Sequence, residues 1–252
     1  MTVRRESWHC ILIFYTHHLT ATGHIIMKSL IFLLPATTLA ALTSITQNDV
    51  TSGTGCKAMT ILFARGTTEL GNMGSVAGPP FVSAVGAMMG AGNVAVQGIA
   101  YPADVPGFLA GGDAGGSKLM AQMVGQVKAK CPDTALVMAG YSQGGQLVHN
   151  AAAMLSAADS SFVSSAVIFG DPDNGQAVGK VAAANTKVIC APGDLICAGQ
   201  AVILPPHLSY GANAGQAAKF VVGKMAAAKA KRELDLPGLA PARATKAKFF
   251  VS

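Results

Sequence analysis

Short apolar runs alternate along the chain with longer stretches of helical spacing. Runs of strand length occupy residues 59–64, 94–100, 135–140, 165–169 and 187–191. Segments with a helical pattern fall between them, near 79–90, 115–129, 145–157 and 214–227. Because apolar strands that alternate with helices are typical of a parallel sheet covered on both faces, the pattern predicts an α/β fold. We expect a three-layer α/β/α sandwich with a five-stranded, mainly parallel central sheet.

The two ends of the chain do not follow this alternation. Linker-like composition appears only at 42–54 and after residue 230, where prolines would interrupt any helix. We therefore expect one folded domain at 56–228, preceded by a flexible segment at 41–55. A basic, disordered tail is expected at 229–252.

Residues 27–40 have the organisation of a secretory signal peptide. They begin with a basic residue, continue with an apolar centre and end with small residues. The apolar stretch is too short for a convincing transmembrane helix. Its position behind residues 1–26 is unusual, and we interpret those residues as an over-extended gene prediction with Met27 as the true start. A longer, unconventional leader is the alternative.

The net charge of +6 is confined to the ends of the chain. Residues 41–223 hold eight Lys/Arg and nine Asp/Glu, whereas residues 224–252 hold seven basic and two acidic residues. The body therefore lacks the basic stripe that a nucleic-acid partner would need. Hydrophobic residues make up 51% of the chain and charged residues only 12%, which suits a compact secreted enzyme better than a cytosolic one.

A G-x-S-x-G run occupies residues 140–144, between an apolar strand pattern and a helical pattern. A strand–turn–helix context of this kind is what a nucleophile elbow requires. The turn is tight, so its flanks must be nearly free of side chains, and glycine supplies this at both ends. The sequence therefore predicts that Ser142 stands exposed at the carboxyl edge of the sheet as a nucleophile.

Two histidines follow this serine. His149 lies in the helix after the elbow and is interpreted as a surface or packing residue, whereas His207 lies in a Pro-rich loop, where functional side chains are often presented. Asp194 lies between the serine and His207, which gives the order nucleophile, acid, histidine of an α/β-hydrolase. Asp171 and Asp173, which resemble turn aspartates just after a strand, are the rival acids.

Four stretches in this order resemble the fungal cutinases, secreted serine esterases of the α/β-hydrolase class. They are Ala64-Arg-Gly-Thr-Thr-Glu69, Gly140-Tyr-Ser-Gln-Gly144, Cys190-Ala-Pro-Gly-Asp-Leu-Ile-Cys197 and Pro206-His-Leu-Ser-Tyr210, and the resemblance covers about residues 56–223. It implies a triad of Ser142, Asp194 and His207. No long insertion is available to form a lid, so the site should be open to bulky esters.

The same resemblance assigns the oxyanion hole to Thr67 and the amide of Gln143. Many relatives have serine where this chain has Thr67, and the extra methyl group narrows the site. The chemistry agrees, because one donor is normally the amide after the nucleophile and the other comes from the loop after an early strand. We expect Arg65 and Glu69 to brace that loop. A polar loop with an ion pair is the simpler interpretation of these residues.

Five cysteines are present, of which Cys10 lies in residues 1–26, ahead of the signal peptide. The other four allow three pairings. Cys190 with Cys197 is the local choice, which leaves Cys56 with Cys131, and the family resemblance implies the same pairing. A zinc site is the rival interpretation, but the spacing lacks paired C-x-x-C knuckles.

Two loops carry apolar residues that we interpret as opposing sides of an acyl-binding groove. One ends in Phe108 and Leu109, and the other contains Ile203 and Leu204 immediately before His207. Ordinary packing is the alternative role for these side chains.

The sequence therefore predicts a monomeric, secreted serine esterase that needs no metal or organic cofactor, and the resemblance implies cutin-type polyesters as its substrates. An acetylxylan or short-chain lipid esterase on the same scaffold is a near alternative. A catalytically silent wall-binding or elicitor-like protein is the alternative from another class, and the intact set of serine, aspartate and histidine argues against it.

Overall fold

A computed structural model describes residues 13–16, 28–31 and 42–234, with side chains described for 42–226. The chain divides into two units, Met1–Ala41 and Leu42–Ser252. In the first unit, β1 (Ile13–Thr16) pairs antiparallel with β2 (Lys28–Ile31). The rest of the expected leader and signal peptide, and the tail from residue 235, lie outside the described residues.

The second unit is built on a five-stranded parallel sheet, which confirms the predicted fold class. Its strands are β3 (Met59–Ala64), β4 (Val94–Gly98), β5 (Ala135–Tyr141), β6 (Val163–Phe169) and β7 (Thr186–Ile189). The spatial order is β4-β3-β5-β6-β7. Every residue of β3, β4, β5 and β6 is buried, because helices cover both faces of the sheet.

Seven α-helices surround the sheet in the described part of the chain. They are α1 (Asp49–Ser52), α2 (Gly78–Met89), α3 (Val105–Leu109), α4 (Ala114–Lys130), α5 (Gln143–Met154), α6 (Ala157–Phe162) and α7 (Ala214–Leu234). Helices α4 and α5 pack on one face of the sheet, and α2 and α7 pack on the other. None of the helices among the described residues has the length and apolarity that a bilayer span requires.

Alternate residues of each central strand supply the two cores. Leu62 and Met138 belong to the core under α4 and α5, whereas Ile61 and Val137 belong to the core under α2 and α7. This alternation follows from the two-residue period of a strand. The domain therefore buries apolar side chains on both faces of the sheet.

The last helix runs past the expected domain boundary. Helix α7 continues to Leu234, whereas the sequence placed the start of the tail at residue 229. The alanines and lysines of 226–231 are strong helix formers, which explains the longer helix.

The segment at 42–55 is attached to the domain, although its composition suggested a flexible segment. The Ile45 carbonyl accepts a hydrogen bond from the Asn72 amide at 3.0 Å. The Asp49 carboxylate accepts one from the Val96 amide, at 2.8 Å, on the edge strand β4. The segment therefore accepts hydrogen bonds from amides of the domain, and one of these amides lies on the unpaired edge of the sheet.

Strand register brings the functional loops to one edge of the sheet. Ala64 at the end of β3 pairs with Gly140 of β5, and Gly140 pairs with Ile168 of β6. The loops that follow β3, β5 and β6 therefore leave the sheet side by side, as expected for the carboxyl ends of parallel strands.

Candidate active site

Ser142 occupies a strained turn between β5 and α5. Its backbone has φ 55° and ψ −122°, a conformation that costs about 1–3 kcal/mol for a residue with a side chain. A Cβ at Gly140 would lie 2.1 Å from the Gly144 carbonyl oxygen, and one at Gly144 would lie 2.0 Å from the Ala64 oxygen. The two glycines of the motif are therefore required by the close approach of neighbouring backbone, which is the geometry of a nucleophile elbow.

Two clefts meet at this serine. The large cleft has a volume of about 380 Å³ and is lined by residues 67–70 and 74–76 with Ile45, Tyr141, Ser142, Ile203, His207 and Leu208. The small cleft has a volume of about 160 Å³ and is lined by Thr67, Val105, Phe108, Leu109, Ser142, Ile196, Ala201 and Ile203. Ser142 as a whole is only 4% exposed, so the nucleophile predicted to stand exposed lies instead at the base of the clefts.

His207 and Asp194 form a buried pair beside the serine. His207 Nδ1 lies 2.8 Å from Asp194 Oδ2, and the exposed fractions of the two residues are 1% and 5%. Asp194 Oδ1 accepts a hydrogen bond from the Ile196 amide at 3.0 Å. The Tyr210 hydroxyl donates a further bond to Asp194 Oδ2.

These contacts set the charge of Asp194 and the tautomer of His207. Burial raises the pKa of Asp194, but the hydrogen bonds from Tyr210, His207 and the Ile196 amide outweigh it, so the pKa is lowered. An ionised carboxylate can only accept hydrogen bonds, so Nδ1 of His207 carries the proton. Nε2, which is buried without a hydrogen-bond partner in the described structure, is then the basic nitrogen.

The rival acid Asp171 is paired with the other histidine. His149 Nε2 lies 3.0 Å from Asp171 Oδ2, and His149 Nδ1 lies 3.3 Å from the Ala177 carbonyl oxygen. His149 is thus a buried packing residue. With Asp173, these side chains could hold a metal ion, since their ligand atoms all lie within 4.8 Å of one another.

Thr67 and Gln143 are joined by a hydrogen bond. The Gln143 side chain, fully buried at the start of α5, donates through Nε2 to Thr67 Oγ1 at 2.9 Å and to the Asp104 carbonyl at 2.8 Å. The bond from Gln143 occupies a lone pair of Oγ1, so the hydroxyl hydrogen of Thr67 points elsewhere. Thr67 and Ser142 line both clefts.

The loop that carries Thr67 is braced by the main chain, and the ion pair considered for Arg65 and Glu69 is wrong. Arg65 Nε donates to the main-chain oxygen of Glu69 at 2.6 Å. The Glu69 carboxylate accepts from the amides of Gly66 at 2.8 Å, Ser75 at 2.8 Å and Val76 at 2.9 Å. Each of the two charged side chains therefore hydrogen-bonds to the main chain. The tight loop has backbone amides and carbonyls that cannot pair with one another, and these side chains satisfy them.

Three of the four residues expected in the acyl groove line the small cleft. These are Phe108, Leu109 and Ile203. Leu204 is 37% exposed and is not among the lining residues. The sequence did not point to Leu70 and Leu208 of the large cleft, because their place beside Ser142 depends on loop positions that the hydrophobic pattern does not specify.

Both expected disulfides are present in the structure. Cys190–Cys197 closes the loop that holds Asp194, and its Cα atoms lie 6.0 Å apart. Cys56–Cys131 joins the start of the domain to the end of α4, with a Cα separation of 5.4 Å. The short bridge constrains the loop of Asp194, and the long bridge constrains the fold.

Known proteins are similar to this chain over its folded domain. The profile of the cutinase family matches residues 55–225. A cutinase from Botryotinia fuckeliana is 52% identical over 189 residues, which cover 75% of this chain and 91% of that protein. A cutinase from Monilinia fructicola is 55% identical over 166 residues, which cover 66% of this chain and 82% of that protein.

A solved structure is similar to this chain as well. Trichoderma reesei cutinase, in complex with a C11Y4 phosphonate inhibitor, is 40% identical and has a TM-score of 0.68. The match covers 76% of this chain and 90% of that chain. The fold and these relatives define a carboxylic ester hydrolase of the α/β-hydrolase class. The chain belongs to the cutinase family.

Proposed function

We propose that the chain is a secreted serine esterase that hydrolyses cutin-type polyesters through an acyl-enzyme, with Ser142, His207 and Asp194 as its triad. One observation carries the proposal. The strained serine lies where two clefts with apolar walls meet, beside a histidine whose Nδ1 is 2.8 Å from a buried carboxylate. Serine hydrolases on unrelated folds use a histidine held by a carboxylate next to a serine in this way, and here Nε2 of His207 has no hydrogen-bond partner among the described residues.

In the acylation step, Ser142 Oγ forms a bond to the ester carbonyl carbon. Its proton passes to His207 Nε2, the basic nitrogen of the ring. The bond between the carbonyl carbon and the alcohol oxygen then breaks, and the same proton goes to the leaving alcohol. Asp194 holds the ring in its working tautomer and stabilises the imidazolium that forms between the two transfers.

Negative charge develops on the carbonyl oxygen during this step and needs donors that are already in place. Thr67 and the amide of Gln143 are proposed for this role. The bond from the Gln143 side chain to Thr67 Oγ1 fixes the hydroxyl group and leaves its hydrogen available for the oxyanion.

Water then attacks the acyl-enzyme by the same route. It gives a proton to His207 Nε2, the bond from the carbonyl carbon to Ser142 Oγ breaks, and the proton returns to the serine. The products are a carboxylic acid and free enzyme. All proposed groups belong to one chain, so a monomer suffices.

The substrate class and the compartment rest on separate supports. The relatives named cutinases and the apolar clefts support cutin-type esters as substrates. Two disulfides support an oxidising compartment, and residues 27–40 have the composition of a secretion signal. Amino-terminal sequencing of protein recovered from the culture medium tests the secretion proposal.

Replacement of Ser142 by alanine tests the chemistry. Ser142→Ala should lower turnover of a cutin film and of small esters by roughly four orders of magnitude or more, and it should abolish labelling by an organophosphonate. The matched control is Ser83→Ala, a serine of α2 that lines neither cleft, which should keep both properties. Label on another residue, or esterase activity that survives in pure Ser142→Ala, would refute the assignment.

A further inference from the structure

Only one of the two clefts at the serine reaches the histidine. Thr67, Ser142 and Ile203 line both clefts. Among the described residues, His207 lines the large cleft and does not line the small one. The large cleft also has more than twice the volume of the small one, about 380 Å³ against about 160 Å³. The site is therefore asymmetric around the serine.

This asymmetry corresponds to the two halves of an ester. The alcohol oxygen leaves with the proton that His207 carries, so the alcohol half must lie on the histidine side of the carbonyl carbon. The acyl half remains on Ser142 and extends the other way. We propose that the large cleft binds the alcohol half of the substrate and that Leu70 and Leu208 select long, uncharged alcohols; this inference rests on the proposed esterase function.

The walls of the large cleft fit an alkyl chain. Leu70 is 76% exposed, Leu208 is 58% exposed and Ile45 is 41% exposed, although all three are large and apolar. Single exposed apolar residues are normal, but a group of them around one concave surface marks a binding site. A bound chain would remove these side chains from water, which is the driving force for the selectivity.

The polar groups of the cleft disfavour a negative charge on the alcohol. Among the described lining residues, Glu69 is the acidic one and none is lysine or arginine. Both carboxylate oxygens of Glu69 are fixed by the amides of Gly66, Ser75 and Val76, so the side chain cannot turn away. A free carboxylate on the alcohol would meet a like charge here, whereas a neutral chain would not. The cleft thus favours ester bonds inside a polyester over the bond next to a free acid end.

Two series of esters separate the clefts when kcat/KM is measured. One series keeps the butanoyl group and lengthens a linear alcohol, and the other keeps methanol and lengthens the acyl chain. We expect kcat/KM to rise by roughly twofold for each added methylene, since a half-buried methylene contributes about half of its full transfer free energy. Leu70→Ser and Leu208→Ser should flatten the alcohol series and keep the slope of the acyl series.

Two further variants complete the design. Leu109→Ser, in the small cleft, should flatten the acyl series and keep the slope of the alcohol series. Met88→Ser is the control, an exposed apolar residue of α2 outside both clefts, and it should change neither slope. The reverse pattern, or equal effects of Leu70→Ser and Leu109→Ser on both series, would overturn the assignment.

Charge gives a second readout. The butanoate of an ω-hydroxy acid should be cleaved more slowly than the butanoate of its methyl ester, and equal or faster cleavage would overturn the selectivity for uncharged alcohols. Failure of the esterase proposal looks different. In that case neither series is hydrolysed above the level of Ser142→Ala, so there are no slopes to compare.

Discussion

The Tyr210 hydroxyl donates a hydrogen bond to Oδ2 of Asp194, the same oxygen that lies 2.8 Å from His207 Nδ1. Tyr210 is fully buried, and its hydroxyl oxygen accepts a bond from the Ala191 amide at 3.0 Å. Its ring also meets the imidazole edge-on, with 6.0 Å between the centroids. Tyr210 therefore fixes Asp194 and packs against His207, and we propose that it positions these two residues as acid and base.

Tyr210→Phe should remove one hydrogen bond from the Asp194 carboxylate and keep the carboxylate itself. A hydrogen bond to a charged group contributes about 1.5–3 kcal/mol, and this one helps to lower the pKa of Asp194, so its loss should raise that pKa. A lowered folded-state pKa adds stability that is present above the unfolded value and lost as the pH falls through the folded value. The variant should therefore be less stable than the wild type near neutral pH, and the difference should shrink as the pH falls below the unfolded value.

Denaturant unfolding at a series of pH values from neutral to acid measures the difference in unfolding free energy. Turnover should also fall by roughly tenfold or more, because the histidine is misplaced. The control is Tyr101→Phe, a buried tyrosine whose hydroxyl donates to the Arg65 carbonyl. Its unfolding free energy should lie below that of the wild type by the same amount at every pH. The positioning role of Tyr210 is wrong if its variant unfolds in acid in parallel with the wild type.

Asp194→Asn should inactivate the enzyme, whereas Asp171→Asn should not. An amide at the acid position favours the wrong tautomer of His207, and such a change lowers kcat by roughly ten-thousandfold in a serine protease. Asp171 is a matched control, because it is also a buried aspartate within 3.0 Å of a histidine nitrogen, that of His149. Its variant should lose stability and keep turnover per folded molecule, so a crippled Asp171→Asn would mean that the acid is misassigned.

The sheet and the site motifs could be predicted because they depend on local sequence. Largely apolar runs marked β3 and β5 at or within one residue of their ends, and the glycines of the elbow are a local requirement of a tight turn. Helix α3 at Val105–Leu109 could not be predicted in the same way. It is short and contains proline and glycine, so its pattern resembles a loop.

The clefts and the hydrogen bond from Tyr210 to Asp194 depend on contacts between distant segments. Ile45 and Leu70 lie beside Ser142 only because the segment before β3 and the loop after it pack together. The sequence does not predict the role of the Tyr210 hydroxyl, because a tyrosine in a loop carries no signal that its partner is a carboxylate. Loop packing of this kind is decided by the assembled fold, which one-dimensional patterns do not contain.

His149 should make stability depend on pH on the alkaline side. Burial lowers its pKa, but the hydrogen bond and charge of Asp171, with Asp173 and the Ala177 carbonyl, outweigh it and raise the pKa. A raised folded-state pKa adds stability that is complete below the unfolded value of about 6.5 and is lost as the pH rises through the folded value. The wild type should therefore lose stability as the pH rises above that unfolded value.

His149→Gln should remove this pH dependence. The variant should be less stable than the wild type at mildly acid pH, and the difference should shrink as the medium becomes alkaline. Denaturant midpoints of both proteins across this range, together with activity at each pH, provide the measurement. Parallel curves for the two proteins would show that the buried pair does not titrate in this range.

The two disulfides should divide their effects between stability and turnover. Cys56–Cys131 spans 75 residues and Cys190–Cys197 spans seven, so the chain-entropy model gives about 4.5 kcal/mol for the long loop and about 2.5 kcal/mol for the short one. The short bridge encloses Asp194, whose position sets the geometry of His207. Replacement of Cys190 and Cys197 by serine should therefore lower turnover more than the melting temperature.

Replacement of Cys56 and Cys131 by serine should have the reverse effect, because that bridge lies at the far end of β3 from the elbow and constrains only the fold. Melting temperature and kcat, measured on both double variants and on the wild type, decide between the two roles. Since each variant removes one bridge and adds two serines, the variants serve as controls for each other. Equal losses of turnover and of melting temperature in the two variants would contradict the division, as would four free thiols among these cysteines in unreduced protein.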